Sequence, residues 1–126
     1  MTNYTLLLVE DDADSRDGLC ALLELSIAAC RVVCAEDGVD ALTQLRAGFQ
    51  PQVILLDLHL PRMDGRAFRS QQLADPRLRQ IPVILCSAGT DLEESAQAMG
   101  IRRDDVLRKP LDFERLFGRL EQYRTA

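Results

Sequence analysis

Hydrophobic residues along the chain fall into five short runs, and the segments between them show helical periodicity. The runs are residues 6–9, 32–35, 53–56, 81–86 and 106–107. Most are continuous stretches of Val, Ile and Leu, which is typical of strands that are buried on both faces of a sheet. We therefore predict five strands, of which the last has the weakest pattern.

The segments between the runs predict five helices, because apolar residues recur there every three or four positions. These residues span 19–27, 39–45, 67–73, 92–99 and 113–120. Gly48, Asp75-Pro76 and Gly100 are stop signals for the second, third and fourth helices. Asp112 is placed to cap the last helix, in which Phe113, Leu116, Phe117 and Leu120 share one face.

This alternation of strand and helix predicts an α/β fold, with a parallel sheet covered by helices on both faces. No linker rich in Gly, Ser or Pro, no repeat and no low-complexity tract interrupts it. A chain of 126 residues has the size of one domain. We therefore predict a single domain spanning residues 1–126.

Composition narrows the classes of protein. No apolar run approaches the roughly 20 residues that cross a bilayer, and residues 6–9 are too short for the core of a secretion signal, so we expect a cytoplasmic protein without a membrane partner. The four cysteines lack CxxC spacing and there is one histidine, which excludes a zinc site of Cys and His ligands. We interpret the cysteines as reduced thiols, with Cys34 and Cys86 buried.

Charge is distributed unevenly along the chain. Residues 1–60 contain ten acids and three arginines, which argues against a nucleic-acid surface there. These acids could instead hold a divalent cation. Fourteen of the fifteen basic residues are arginine, and the single lysine is Lys109. The position of this lysine matters more than its rarity.

Chemically capable side chains follow four of the predicted strands. In open α/β sheets, ligands bind beyond the carboxyl ends of the strands, so these side chains should converge on one pocket. They are Glu10, Asp11 and Asp12 after the first strand, Asp57 after the third, Ser87 after the fourth and Lys109 after the fifth.

Such a group predicts phosphoryl chemistry with Mg²⁺. Clustered carboxylates need a proton or a cation, and oxygen ligands with room for water favour Mg²⁺ over Ca²⁺. A carboxylate can also act as a nucleophile and form an aspartyl phosphate, whose oxygens Lys109 and Ser87 would bind. Each residue alone has an ordinary interpretation as a cap, a solvated first turn or a surface side chain. The combination favours a site, although spacing does not choose two of the three neighbouring acids.

Four motifs carry a resemblance to a known family. The segments LLLVEDDADSR, VILLDLHLPRMDG, PVILCSAG and LRKP resemble, in order and spacing, the receiver domain of bacterial two-component response regulators. The resemblance extends from Tyr4 to about Tyr123. It implies a flavodoxin-like (βα)5 three-layer sandwich, in which the five-stranded parallel sheet has the order 2-1-3-4-5.

The resemblance also implies a role for each residue. Asp57 takes the place of the phosphoacceptor, Ser87 that of the switch hydroxyl and Lys109 that of the lysine that pairs with the phosphoryl group. Arg16 matches the family's arginine in the first helix, which assigns the acidic pair to Glu10 and Asp11 and leaves Asp12 without a ligand role. The implied Mg²⁺ ligands are Asp11, Asp57 and the backbone carbonyl of His59, with Glu10 acting through water. The Lys109-Pro110 peptide is expected to be cis.

The implied function is a signalling switch rather than an enzyme, although such a domain assists its own phosphorylation and dephosphorylation. It would accept a phosphoryl group from a sensor histidine kinase or a histidine phosphotransfer protein. It would then change its affinity for an output protein through the face formed by the fourth helix, fifth strand and fifth helix. No direct contact with nucleic acid is expected.

Two alternatives remain open. One is a receiver-like interaction module that works without phosphorylation, and Val106 supports it because the family's switch aromatic belongs at that position. The other is a phosphatase of the haloacid dehalogenase kind, for which Asp12-Ala13-Asp14 is a passable DxD motif. Against the phosphatase, Asp104 and Asp105 precede Lys109 in the chain, and the sequence is too short for a cap domain.

Overall fold

The computed structural model describes residues 3–124 as alternating strands and helices. The strands are β1 (Tyr4–Val9), β2 (Cys30–Ala35), β3 (Val53–Asp57), β4 (Val83–Ser87) and β5 (Val106–Arg108). The helices are α1 (Ala13–Ser26), α2 (Gly38–Arg46), α3 (Gly65–Ala74), α4 (Leu92–Ala98) and α5 (Phe113–Tyr123). A 3-10 turn at Arg103–Asp105 precedes β5. The predicted alternation is confirmed.

The strands form one parallel sheet in the order β2-β1-β3-β4-β5, which confirms the order that the family resemblance implies. Helices cover both faces and make two separate cores. Buried residues of α1 and α5, such as Leu23 and Leu116, pack on one face, whereas those of α2, α3 and α4, such as Leu42, Phe68 and Leu92, pack on the other. The result is a three-layer sandwich.

Burial on both faces explains the continuous apolar runs. In β1, Leu6 and Leu8 contact the core on the α1 and α5 side, while Leu7 and Val9 contact the opposite core. Successive strand residues point to opposite faces, so each of these positions needs an apolar side chain. A strand of this kind holds its last residue rigidly at the edge of the sheet.

Aspartate caps four of the five helices. Asp12, Asp37, Asp64 and Asp112 each accept a hydrogen bond from the backbone N–H three residues further on, which satisfies donors that a helix start leaves unpaired. The expected cap at Asp112 is therefore confirmed. Asp91 precedes α4 but makes no such bond, because its carboxylate contacts a different part of the molecule.

The structure differs from the sequence prediction at several positions. Strand β1 starts earlier than expected, at Tyr4, whose buried hydroxyl donates to the carbonyl oxygen of Leu120. Strand β4 starts later, at Val83, since Pro82 has no N–H to give to a ladder. Phe113 is 43% exposed despite its place on the apolar face of α5, and polar Gln72 is fully buried in α3.

The thiols are free, as expected: Cys86 is buried, whereas Cys34 is only half-buried.

Within residues 3–124, no helix has both the length and the apolar character to cross a lipid bilayer. The single-domain prediction for residues 1–126 stays a prediction, and residues 1–2 and 125–126 lie outside the described part of the chain.

Candidate functional site

Asp57 is the last residue of β3, at the carboxyl edge of the sheet. Four buried residues precede it, and its side chain is 13% exposed. It pairs in register with Cys86 of β4, so the next residue of that strand, Ser87, lies at the same edge. The charge is therefore at the rim of the core and faces a pocket, as the strand-end rule predicts.

Lys109 brings a positive charge into this pocket. Its Nζ donates to Asp57 Oδ2 at 2.9 Å and to Glu10 Oε1 at 3.1 Å. Burial lowers the pKa of Lys109, but the bonds to these two carboxylates outweigh it and the pKa is raised overall. The only lysine of the chain is thus held protonated between Asp57, at the end of β3, and Glu10, in the loop after β1. The Lys109-Pro110 peptide is cis, as expected.

Glu10 is a buried acid with a raised pKa. Its side chain is 8% exposed, and its Oε2 has no hydrogen-bond partner among the described residues. Burial is the main reason that the pKa of Glu10 is raised to about 7; the neighbouring Asp57 carboxylate also raises it, while Lys109 lowers it. A buried oxygen without a donor is costly unless a proton or a cation satisfies it.

The carboxylates fit a hard cation. Glu10, Asp11 and Asp57 each offer an oxygen, and these oxygens lie within 4.8 Å of one another. Oxygen donors with two or three negative charges suit Mg²⁺. The unpaired Oε2 of Glu10 points to the same conclusion, because a bound cation or its water would satisfy it. The acids that the family resemblance assigns are therefore brought together.

Arg16 and Asp12 fix the loop that carries Glu10 and Asp11. The Nη1 of Arg16 donates to the backbone carbonyl of Glu10 at 2.9 Å and approaches that of Asp11 at 3.5 Å. Asp12 caps α1 through Ser15 N–H at 2.8 Å, and this bond lowers its pKa. The structure therefore explains why Asp12 is separate from the other two acids: its carboxylate caps α1.

Ser87 is buried at the end of β4. Its carbonyl accepts from Lys109 N–H at 2.9 Å, and its Oγ lies 3.5 Å from the N–H of Gly89. The hydroxyl is thus at the sheet edge that holds Asp57 and Lys109. Its predicted role as the switch hydroxyl stays a prediction.

His59 contributes to the site mainly through its backbone. Its N–H donates to Asp57 Oδ1 at 3.3 Å, which orients the carboxylate, and the predicted use of its carbonyl as a metal ligand is untested. Its exposed imidazole contacts Asp91 Oδ1 through Nε2 at 3.1 Å. A Cβ at Gly89 would lie 2.7 Å from that Nε2, so the ring covers the loop after Ser87 closely. Sequence reasoning missed Asp91 because its partner lies 32 positions away.

Gly65 allows the loop after Asp57 to return against the strand. Its N–H donates to Leu58 at 2.8 Å, and a Cβ there would lie 2.7 Å from the carbonyl oxygen of Asp57 and 2.9 Å from the Cα of Leu58. These atoms belong to the backbone and cannot rotate away. The turn that the sequence marks with Pro61 and Gly65 therefore needs a glycine at its end.

We expect Gly65→Ala to lower the free energy of unfolding by about 1–3 kcal/mol, because overpacking against backbone must shift β3 or α3. Urea denaturation measures the change. Gly118→Ala is the matched control, since a Cβ at this exposed α5 position meets nothing within 4 Å and the change should be neutral or stabilising by up to about 1 kcal/mol. Equal stability of the two variants would contradict the close approach.

Comparison with known proteins identifies the family. The family model for the response regulator receiver domain matches residues 6–121. The chain belongs to this family. Its receiver fold, the acids after β1, the acid after β3 and the lysine after β5 therefore occur together in a domain of two-component signalling. Domains of this family interact with kinases and with output domains.

Individual relatives support the assignment. The receiver domain is 31% identical to the DNA-binding dual master transcriptional regulator RpaA of Synechocystis over 91% of its own length and 46% of that protein. It is 37% identical to the Regulator of RpoS of Escherichia coli, covering 88% of itself and 32% of the relative. The chain thus spans less than half of these two curated relatives.

A solved structure of similar size gives the same result. The chemotaxis response regulator CheY4 of Vibrio cholerae superposes with a TM-score of 0.82 and 25% identity. The match covers 98% of this receiver domain and all of that chain.

Proposed function

We propose that Asp57 accepts a phosphoryl group from the phosphohistidine of a sensor kinase or a histidine phosphotransfer protein, in a reaction that depends on Mg²⁺. One observation carries the proposal: Asp57 at the sheet edge is paired with Lys109 at 2.9 Å and lies beside Glu10 and Asp11. A nucleophilic carboxylate, a fixed cation and a set of metal-binding oxygens are the parts that phosphoryl transfer to aspartate needs.

In the proposed step, a carboxylate oxygen of Asp57 attacks phosphorus. A P–O bond forms, the P–N bond to the donor imidazole breaks, and the imidazole leaves with the electron pair and takes up a proton. The His59 N–H holds the other oxygen of Asp57. Lys109 stabilises the negative charge of the transferring group, and Ser87 donates a hydrogen bond to the aspartyl phosphate.

Mg²⁺, when bound, neutralises charge on the acids and on the phosphoryl oxygens. Asp11, Asp57 and the His59 carbonyl would hold it, with Glu10 acting through water. The negative charge of these carboxylates repels a phosphoryl group, so Asp57 can approach one only when a cation balances that charge.

The proposed output is a change in partner binding through the face of α4, β5 and α5. The domain would be a switch rather than an enzyme, although its own residues assist phosphorylation and dephosphorylation. We place it in the cytoplasm, a reducing compartment that suits its free thiols. We propose no direct contact with nucleic acid or membrane. The DNA-binding regulator RpaA is matched over less than half of its length.

Intact mass spectrometry after incubation with acetyl phosphate tests the proposal. We expect wild type to gain one phosphoryl group with Mg²⁺ and none in EDTA, and Asp57→Asn to gain none under either condition. A gain in Asp57→Asn equal to that of wild type would place the acceptor elsewhere.

The same experiment separates the alternatives. A wild type that binds Mg²⁺ but gains no phosphoryl group from acetyl phosphate or from a phosphorylated histidine donor would favour the interaction module that works without phosphorylation. Two observations argue against the phosphatase alternative. Asp12 of its DxD motif caps α1, and the chain belongs to the receiver family.

A further inference from the structure

Arg108 occupies a position on β5 that faces α4. It is two residues beyond Val106, so both side chains point to the same face of the sheet, whereas Leu107 packs into the core below α1 and α5. It also pairs in register with Ser87 of β4. Arg108 therefore lies on the same face as Val106, where the family's switch aromatic belongs. It is two residues nearer to the carboxyl edge of the sheet, which holds Asp57.

The guanidinium of Arg108 joins two elements. Its Nη1 donates to the carbonyl oxygen of Gly89 at 2.9 Å, in the loop between β4 and α4. Its Nη2 donates to both carboxylate oxygens of Glu93, in the first turn of α4, at 2.7 Å each. One side chain of β5 thus bridges the loop and the helix.

The loop that Arg108 contacts directly follows Ser87. Gly89 is two residues after Ser87, and its N–H faces the Ser87 hydroxyl at 3.5 Å. On the other side the loop is covered by His59, which bonds Asp91. A displacement of Ser87 toward a phosphoryl group would therefore pull on Gly89 and, through the Gly89 carbonyl, on Arg108.

Arg108 also borders the partner-facing surface. A groove of about 630 Å³ lies between α4, β5 and α5, and its lining includes Val106, Arg108, Glu93, Arg103 and Arg115. Val106 is too small to act as a swinging aromatic side chain. A change in the Arg108 contacts would instead shift Glu93 and the start of α4, and so reshape this groove.

We propose that Arg108 is the positioning residue that couples the Ser87 loop to α4, in place of an aromatic switch at residue 106. The proposal rests on the proposed phosphorylation of Asp57. The Arg108 and Glu93 side chains are 45% and 69% exposed, so their pair is open to water and can be exchanged for another arrangement without leaving a buried charge. Coupling through a breakable surface pair is a two-state element of the kind that switches need.

Hydrogen exchange of α4 amides, before and after phosphorylation by acetyl phosphate with Mg²⁺, tests the coupling. In wild type we expect phosphorylation to change exchange both in the loop at residues 88–91 and in α4. In Arg108→Met the loop should still respond, while the change in α4 falls at least threefold. Glu93→Gln should give an intermediate loss, and Arg108→Lys a partial rescue.

Arg115→Met is the matched control, because Arg115 lines the same groove but has no ion pair among residues 3–124. It should respond as wild type does. Intact mass, recorded on every sample, reports phosphorylation separately, so a failure of the proposed function is distinguishable from a failure of the coupling. A full α4 response in Arg108→Met would overturn the proposal.

The unphosphorylated protein provides a second arm. Loss of the Arg108 bond to Gly89 should raise exchange in residues 88–91 several-fold in Arg108→Met but not in Arg115→Met. Unchanged exchange in that loop would overturn the proposal whether or not Asp57 is phosphorylated.

Discussion

Lys109→Met is expected to slow the phosphorylation of Asp57 by acetyl phosphate by roughly 100-fold or more, since removing one fixed donor from developing charge typically costs two to three orders of magnitude. Lys109 Nζ is already 2.9 Å from the Asp57 carboxylate, so the lysine needs no rearrangement before the proposed reaction. Methionine keeps an unbranched apolar side chain that is one atom shorter, and it removes the terminal ammonium group with its charge and donors. The initial rate of mass gain at saturating Mg²⁺ measures the effect.

Arg103→Met controls for the loss of one positive charge. Arg103 lies in the turn before β5, whereas Lys109 follows the opposite end of that strand. Its rate of phosphorylation should stay within about twofold of wild type, since a distant exposed charge is screened by salt. If Lys109→Met retained the wild-type rate, the lysine would be only a structural partner of Asp57 and Glu10. That result would remove the main support for the proposed chemistry.

The sequence predicts this fold well because the sheet is buried on both faces. The runs ending at Val9 and Leu56 have no polar interruption, and only a central strand of an α/β sheet requires that. Strand order does not follow from such periodicity; it came from the family resemblance and is confirmed by the structure. The strand-end rule also predicted the convergence of Glu10, Asp57 and Lys109, since it depends on topology alone.

The contacts that surround the site were not predictable in the same way. His59 meets Asp91, and Arg108 meets Gly89 and Glu93, through side chains whose directions depend on loop geometry. No periodic pattern encodes these pairs. The burial of Gln72 is similar: its amide is satisfied by the carbonyls of Leu78 and Ile81, which only the folded loop places within reach.

Stability of the metal-free protein should depend on Glu10 in a direction that is unusual for an acid. The pKa of Glu10 is raised from 4.5 to about 7, chiefly by burial and then by the neighbouring Asp57 carboxylate, against the opposing effect of Lys109. Between these two pH values the native state binds a proton that the unfolded state has released. The free energy of unfolding is therefore highest below about pH 4.5 with respect to this group, and it falls as the pH rises through 7.

Glu10→Gln isolates this contribution, because the amide is nearly isosteric and does not titrate. In EDTA, we expect the stability of the variant relative to wild type to increase between pH 5 and pH 8, by on the order of 2–3 kcal/mol. Urea denaturation at both pH values measures the difference. A difference between the two proteins that is the same at pH 5 and pH 8 would show that Glu10 is ionised throughout and that its environment is not as described.

Mg²⁺ should restore the stability that wild type loses at pH 8. At this pH Glu10 is ionised, so the three clustered acids carry their largest negative charge. A ligand at 100 times its dissociation constant stabilises the native state by about 2.7 kcal/mol. Wild type should gain stability with Mg²⁺ more strongly at pH 8 than at pH 5, because at pH 5 the ion must displace the proton of Glu10. Glu10→Gln should lose most of this pH dependence, since it has no proton to displace, while it keeps the proposed ligands Asp11 and Asp57. If Mg²⁺ binds as proposed, the proton and the ion compete for the same buried oxygen of Glu10, and this competition would link the stability of the domain to its readiness for phosphorylation.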